Sequence, residues 1–392
     1  MKKLLMLGGA NSQVTAIKKA KELGYYIITC DYLPENPGHS FSDEYVNVST
    51  TEKEAVLEIA IKKKIDGISA YASDPAAETA AYVAEKMKLN GTGFYATKIL
   101  AEKDLFRNFQ KENGFLFPKF ICVQEEKEPS EIFALKYPCM VKPVDSSGSK
   151  GILKVENQSQ LKSAIAFAMT YSRAKRVIIE EFIQSPYKQI HGEGFVKNGE
   201  LVFVHLGEQN FYNMVPIGTS CPCCLEPALI RKAEEEVARL IKKVDFVSGA
   251  INIEVRIDNN DNIYILEIGP RSGGNYMPEL IAASTGFDET LACIQFAMEN
   301  NPEVIFEKKK EDLIFQYIIG SRKEGIFEGI WISDSIKDKV VQSFIHKKRG
   351  DKIQHYRNST GVVGVLLFKV DTEEQLNELI AHVHDNVKVM VS

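Results

Sequence analysis

The stretch INIEVRIDNNDNIYILEIGPRSGGN, residues 251–275, decides the reading of this chain. Two β-rich runs flank the polar turn 258–262, which is a hairpin signal. A turn centred between Asn260 and Asp261 places Glu254 directly opposite Glu267, and Asn252 opposite Gly269 on the same face. Facing carboxylates repel. At roughly 5 Å and an effective dielectric near 20 the repulsion is about 3 kcal/mol. A hard divalent cation between them converts that cost into binding, because Mg²⁺ takes carboxylates together with substrate phosphates. Gly269-Pro270-Arg271-Ser272-Gly273-Gly274 then adds a cation and a flexible turn. The plainer alternative is a solvated acidic hairpin.

Upstream, Lys142 closes the apolar strand of YPCMVKP and is fixed by Pro143. The loop Asp145-Ser146-Ser147-Gly148-Ser149-Lys150-Gly151 follows, with small residues that let backbone N–H groups and hydroxyls approach phosphate oxygens. No GxxxxGK[ST] is present, so this is not a P-loop. In VIIEEFI, Glu180 ends an apolar strand where its carboxylate suits an exocyclic amine, and the Phe182–Ile183 backbone suits a ring edge. Lys103 sits near a helix start in AEKDLFRNF. Each feature alone also fits an ordinary strand end, flexible turn or solvated lysine; their order is what argues for nucleotide triphosphate chemistry.

The 392 residues suggest two or three domains. Apolar content of 44%, charged content of 26% and a net charge of −5 are ordinary for a globular protein. No basic block points to nucleic acid or a membrane surface, and no apolar run is long enough for a membrane span. The start MKKLLML reads as a first strand rather than a signal peptide. Seven cysteines, with Cys221, Cys223 and Cys224 clustered, lack a second metal-ligand pair and read as reduced thiols, which places the chain in the cytoplasm.

Periodicity predicts strands at 3–7, 26–30 and 67–71 alternating with helices at 12–23, 52–63 and 75–87, a parallel βαβ sheet. The turn Leu7-Gly8-Gly9-Ala10-Asn11 lacks the third glycine of GxGxxG; it reads as a tight turn or a small-anion site at the helix start. A helix at 103–113, strands at 119–123, 139–142, 152–155 and 176–181, and a helix at 158–169 follow. Antiparallel strands at 189–196 and 201–206 precede a long aperiodic loop at 207–226, whose residues 207–224 are assigned to the acceptor pocket together with the 272–277 turn, the plainer alternative being a disordered insertion. A helix through Val237, Leu240, Ile241 and Val244, the hairpin, and helices at 276–283 and 288–298 come next. A charged linker at 308–312 leads to strands at 314–319, 325–332, 340–345 and 362–370 and a helix from Glu373.

The motif series YPxxVKP, SSGSKG, EEFI and LEIGPRSGG resembles the ATP-grasp superfamily, the carboxylate–amine ligases and their relatives, over essentially the whole chain. The resemblance implies a mixed α/β and α+β fold. Its parts are an N-terminal parallel domain (1–95), a two-lobed ATP-grasp domain (96–302, small lobe about 120–185) with antiparallel sheets, and a small α+β lid (303–392). It implies ATP contacts at Lys103, Lys142, Ser146, Ser147, Gly148, Ser149, Lys150 and Gly151, an adenine clamp at Glu180, Phe182 and Ile183, and metal carboxylates at Glu254 and Glu267 for Mg²⁺ or Mn²⁺. Arg271 would hold a transferring phosphate, catalysing with Lys142, and Ser272, Gly273, Gly274 and Asn275 would border substrate.

Two positions depart from the pattern. Gln189 stands where the family carries an acid for the ribose, and Gly269 where many members carry a metal-binding Asn. Asn252, across the hairpin, or a water is the expected substitute for the latter. The implied reaction activates a carboxylate as an acyl phosphate for attack by an amine, giving an amide, ADP and phosphate. Rivals are a bicarbonate-phosphorylating enzyme of the biotin carboxylase or carbamoyl phosphate type, a ribonucleotide-directed purine enzyme, and a non-catalytic nucleotide-binding module. His191 and His205 fall near the cleft, where they serve either as satisfied strand histidines or as aids to the nucleophile. Small-molecule acids and amines are the expected partners, and relatives of this kind are often homodimers.

Overall fold

A computed structural model describes residues 1–124, 135–212, 215–299, 306, 309 and 311–392. The N-terminal layer contains β1 (Lys3–Leu7), α1 (Asn11–Glu22), β2 (Tyr26–Cys30), β3 (Glu44–Val46), α2 (Lys53–Lys63), β4 (Gly67–Ser69) and α3 (Asp74–Met87). Its four strands run parallel in the order β3-β2-β1-β4. Helices α4 (Phe94–Ala101) and α5 (Lys103–Glu112) then lead to a small lobe: β5 (Phe120–Val123), β6 (Cys139–Pro143), β7 (Leu153–Val155), α6 (Leu161–Tyr171) and β8 (Val177–Glu181). Here the order is β5-β8-β6-β7 and every pairing is antiparallel.

The central lobe follows with β9 (Gln189–Lys197), β10 (Glu200–Tyr212), β11 (Val215–Cys221), α7 (Pro227–Lys243), β12 (Gly249–Ile257), β13 (Ile263–Gly269), α8 (Met277–Thr285) and α9 (Glu289–Met298). The last segment adds β14 (Leu313–Gly320), β15 (Gly325–Ile332), α10 (Asp334–Lys337), β16 (Val340–Ile345), β17 (Lys352–Ile353), β18 (Val362–Val370), α11 (Glu373–Asn386) and β19 (Val387–Val391).

One eight-stranded sheet, β13-β12-β9-β10-β11-β14-β18-β16, joins the central lobe to the C-terminal segment. Alternation along its strands supplies two apolar faces. One face packs against α7 through Val237, Leu240 and Ile241. The other packs against α8 and α9 through Leu280, Ile281 and Ala292. The far side of α9 completes the N-terminal core, where Ile294, Ala297 and Met298 meet Leu4, Met6 and Ile17. This shared helix ties the first sheet to the hairpin layer.

Within the expected aperiodic loop at 207–226, residues 207–212 instead end β10 and 215–221 form β11, paired antiparallel from Glu208↔Ser220 onward. Polar side chains on both sides of it are buried: Glu208, Gln209, Asn210, Thr219 and Ser220. Apolar alternation therefore fails, and the pairing slips by one at Asn210/Phe211. Short β3, α4 and β19 also lay below the sequence signal. The expected charged linker at 308–312 falls partly outside the described residues.

Around Gly8–Ala10 the tight-turn reading holds. Gly9 N–H donates to Asp31 Oδ2 at 3.1 Å and Ala10 N–H to Gln13 Oε1 at 2.7 Å. A Cβ on Gly9 would lie 2.3 Å from the His39 ring, so glycine is needed for that close approach.

Candidate functional site

The β12–β13 hairpin pairs Glu254 with Glu267 and Asn252 with Gly269, as its sequence predicts, though by a different route. The register from the turn runs Ile257↔Ile263 and Val255↔Ile265, and a bulge at Leu266 then shifts it by one. Without that extra residue Glu254 would face Leu266. Two side chains of α5 hold the bulge: Arg107 Nη2 donates to Leu266 O at 2.7 Å and Gln110 Nε2 to Ile265 O at 2.9 Å. Burial raises the Glu254 carboxyl and the Glu267 charge raises it further, to about 7, against the pull of Lys142, Lys103 and Arg271. Among the described residues no group of three or more His, Cys, Asp or Glu side chains is arranged to hold a metal. Two facing acids with nearby cations fit a divalent ion whose remaining ligands come from phosphate oxygens and water.

Lysines converge on this pair. Lys103, at the first turn of α5, lies 3.1 Å from Glu267 Oε2 and donates to Ser146 O at 3.1 Å, tying the loop 146–151 to the hairpin. Lys142 donates to Glu180 Oε2 at 2.7 Å. Arg107 Nε takes the other oxygen of Glu180 at 2.7 Å. Burial pushes the Glu180 carboxyl up, but Arg107 and Lys142 more than offset this and bring it down to about 2. Glu180, expected to face an adenine amine, is thus a buried anion that aims Lys142. Phe182 N–H is spent on Pro138 O at 3.0 Å, so the donor expected of the Phe182–Ile183 backbone falls to Ile183.

The loop 146–151 takes left-handed backbone at Gly148, Ser149 and Gly151. Ser359 of the C-terminal segment caps it, donating its N–H to Gly148 O at 3.3 Å. A cleft of about 210 Å³, open to solvent, is lined by Asp74, Lys103, Ser146, Ser147, Glu267 and Gly269 among others.

Both departures from the sequence pattern resolve physically. Gln189 Nε2 donates to Glu254 Oε2 at 3.0 Å and Gln209 Oε1 at 2.9 Å, orienting one acid of the pair rather than being left free for a ribose. Asn252 Nδ2 lies 2.7 Å from Glu193 Oε1, 3.0 Å from His191 Nε2 and 3.2 Å from Gly192 O, which fixes the amide within β9 and β12. The space over Gly269 holds Arg271: a Cβ on Gly269 would lie 3.0 Å from the guanidinium carbon. Gly269 makes room for the arginine.

Arg271 Nη2 donates to Asp74 Oδ2 at 2.6 Å and Nη1 to Ser272 O at 3.0 Å. The 272–275 turn is anchored by Glu193, whose Oε2 accepts from Gly273 N–H at 3.0 Å, and by Asn275 O, which accepts from Gln316 Nε2 at 2.6 Å. Gly274 has open space where a side chain would be. His191 is a satisfied strand histidine: its ring bonds Thr219 Oγ1 at 2.8 Å as well as Asn252, and burial lowers its pKa to about 4. His205 lies on Ser284 at 3.0 Å. The thiols of Cys223 and Cys224 are raised by burial to about 12 and about 11, which leaves them unreactive.

Sequence reading missed Asp74, Arg107, Gln110 and Glu193. The signals were Lys103, Arg107 and Gln110 at helical spacing on one face of α5, and Gln189, His191 and Glu193 alternating along β9.

Comparison with known proteins agrees with this geometry. Residues 135–279 match the ATP-grasp domain family. The chain is 23% identical over 278 residues to N5-carboxyaminoimidazole ribonucleotide synthase of Staphylococcus haemolyticus, covering 70% of this chain and 72% of that one. Its fold superposes on L-amino acid ligase from Bacillus licheniformis with a TM-score of 0.85 at 21% identity, covering 100% and 99% of the two chains. It superposes on phosphoribosylglycinamide synthetase from Anaerococcus prevotii with a TM-score of 0.79 at 23% identity and full coverage of both. The segment matched to the ATP-grasp domain family carries Lys142, the loop 146–151, Glu180, the facing acids and Arg271.

Proposed function

We propose that the protein is an ADP-forming ligase that joins a carboxylate to an amine through an acyl phosphate. The observation that carries this reading is the pairing of Glu254 with Glu267 beneath Lys103, Lys142 and Arg271. Similarity to ligases along the whole chain supports it.

Transfer of the γ-phosphoryl group to a carboxylate needs positioning and charge stabilisation more than covalent help. Lys103 and Lys142 are held by Glu267 and Glu180 in fixed orientations, so little reorganisation accompanies phosphate binding. The loop 146–151 covers the phosphates with backbone N–H groups. Arg271 faces the oxygens of the transferring group. The backbone of Ile183 reads the adenine edge, and Ser272–Asn275 border the reacting acid and amine. Glu254 and Glu267 would hold Mg²⁺ or Mn²⁺, which supplies neutralisation of charge on the phosphates. The amine then attacks the acyl carbon, phosphate leaves, and the amide forms.

Phosphate release from ATP, measured across panels of carboxylic acids and amines with bicarbonate alone as a control, tests the reading. Release that requires an acid and an amine together supports ligation. Release with bicarbonate alone points to a carboxylase, and ADP bound without turnover under every condition points to a binding module.

A further inference from the structure

We infer that Asp74 is a resident anion that occupies Arg271 until an anionic reactant displaces it. The inference rests on the ligase reading above and adds a residue of the N-terminal layer to the site. Asp74 is the first residue of α3, and both its carboxylate oxygens lie on Arg271 Nη2, Oδ2 at 2.6 Å and Oδ1 at 2.5 Å. Ser147 of the phosphate loop also hydrogen-bonds it, and the Lys103 charge faces it. Arg271, Ser147 and Lys103 come from three separate segments, and all three are assigned to phosphate oxygens. Asp74 therefore sits where they converge.

The fit is incomplete in a telling way. Arg271 is nine-tenths buried, and its Nε is a buried donor with no hydrogen-bond partner. Nε and Nη2 form the side edge of the guanidinium, the edge that takes two oxygens of one carboxylate or phosphate in parallel. Asp74 satisfies only Nη2. A reactant anion set squarely on that edge gains the Nε hydrogen bond that Asp74 leaves unmade, and an unmade buried bond is costly. Two anions on one guanidinium repel, so one must leave. In the unliganded protein Asp74 spares Arg271 the cost of an unpaired buried charge. Exchange then makes Arg271 available only to a ligand carrying the matching anion.

Orthophosphate is the probe. Its binding to the full chain is followed by calorimetry with and without MgADP, for wild type, Asp74→Asn and Asp74→Ser, the last keeping an oxygen at the helix start. Both variants are expected to bind orthophosphate at least about fivefold tighter, the scale of a modest coupling between two ligands. The gain is expected to vanish in Asp74→Asn/Arg271→Gln. Affinity equal to or weaker than wild type, or a gain that survives loss of Arg271, overturns the inference. Binding of MgADP to the wild type reports separately on the ATP-grasp reading, and the orthophosphate comparison is decisive whichever way that measurement falls.

Discussion

Arg107 Nη2 donates to the carbonyl of Leu266 at 2.7 Å, and Leu266 is the bulged residue that brings Glu267 opposite Glu254. A fully buried guanidinium on a helix thus sets the register of the hairpin on which the two facing acids stand. The same group neutralises Glu180, so one residue supports both the acid pair and Lys142. Bulges next to active sites commonly re-aim side chains in this way.

Replacing Arg107 with Gln should therefore damage stability and site together. It leaves Glu180 buried with half its partners and the bulge carbonyl without a donor. Breaking a buried pair costs roughly 3–5 kcal/mol. Urea unfolding of Arg107→Gln should show a loss on that scale; a change within about 0.5 kcal/mol, the range of ordinary surface substitutions, would contradict the role given to Arg107.

Glu180 gives the protein an acid limb. Its carboxyl titrates at about 2 when folded, below the ordinary 4.5. A depressed carboxyl contributes stability that is complete above the unfolded value and fades as pH falls toward the folded one. Between about pH 4.5 and 2 the wild type should lose stability faster than Glu180→Gln, though the variant is weaker near neutrality. Parallel stability–pH curves for the two proteins would show that Glu180 does not carry this effect.

Gly269→Asn installs the side chain that the motif resemblance leads one to expect at this position, and it should nonetheless impair the enzyme. The new Cβ meets the Arg271 guanidinium at 3.0 Å, and the rest of the side chain must push it aside. Loss of an arginine that stabilises transferring charge should lower kcat by at least about 100-fold, as with other donors to a developing anion. Turnover at or above the wild-type rate would mean that Arg271 is not where the chemistry occurs.

Much of this was legible in the residues. Alternation in 251–257 and 263–269 fixed the hairpin, and the βαβ periodicity of the first 87 residues fixed the parallel sheet. The facing acids followed from a turn centre that is itself one step off, because the bulge at Leu266 compensates. That bulge was invisible: it depends on Arg107, more than 150 positions away, donating to a backbone carbonyl. The polar half of β10 was misread for a related reason. Glu208, Gln209 and Asn210 are buried by the neighbouring strands of the functional sheet, not by an apolar core, so hydrophobic patterning carries no trace of them. Asn252 was placed correctly across from Gly269, but only packing shows that Arg271 lies over that glycine.

The account stands on a divalent ion gripped by Glu254 and Glu267 beside a triphosphate. Electron paramagnetic resonance of Mn²⁺ added to the protein with a non-hydrolysable ATP analogue tests this most directly. Wild type should show a bound-manganese signal that depends on the nucleotide, and Glu254→Gln and Glu267→Gln should each lose it. A bound signal of equal strength in both variants would place the metal elsewhere and contradict the account.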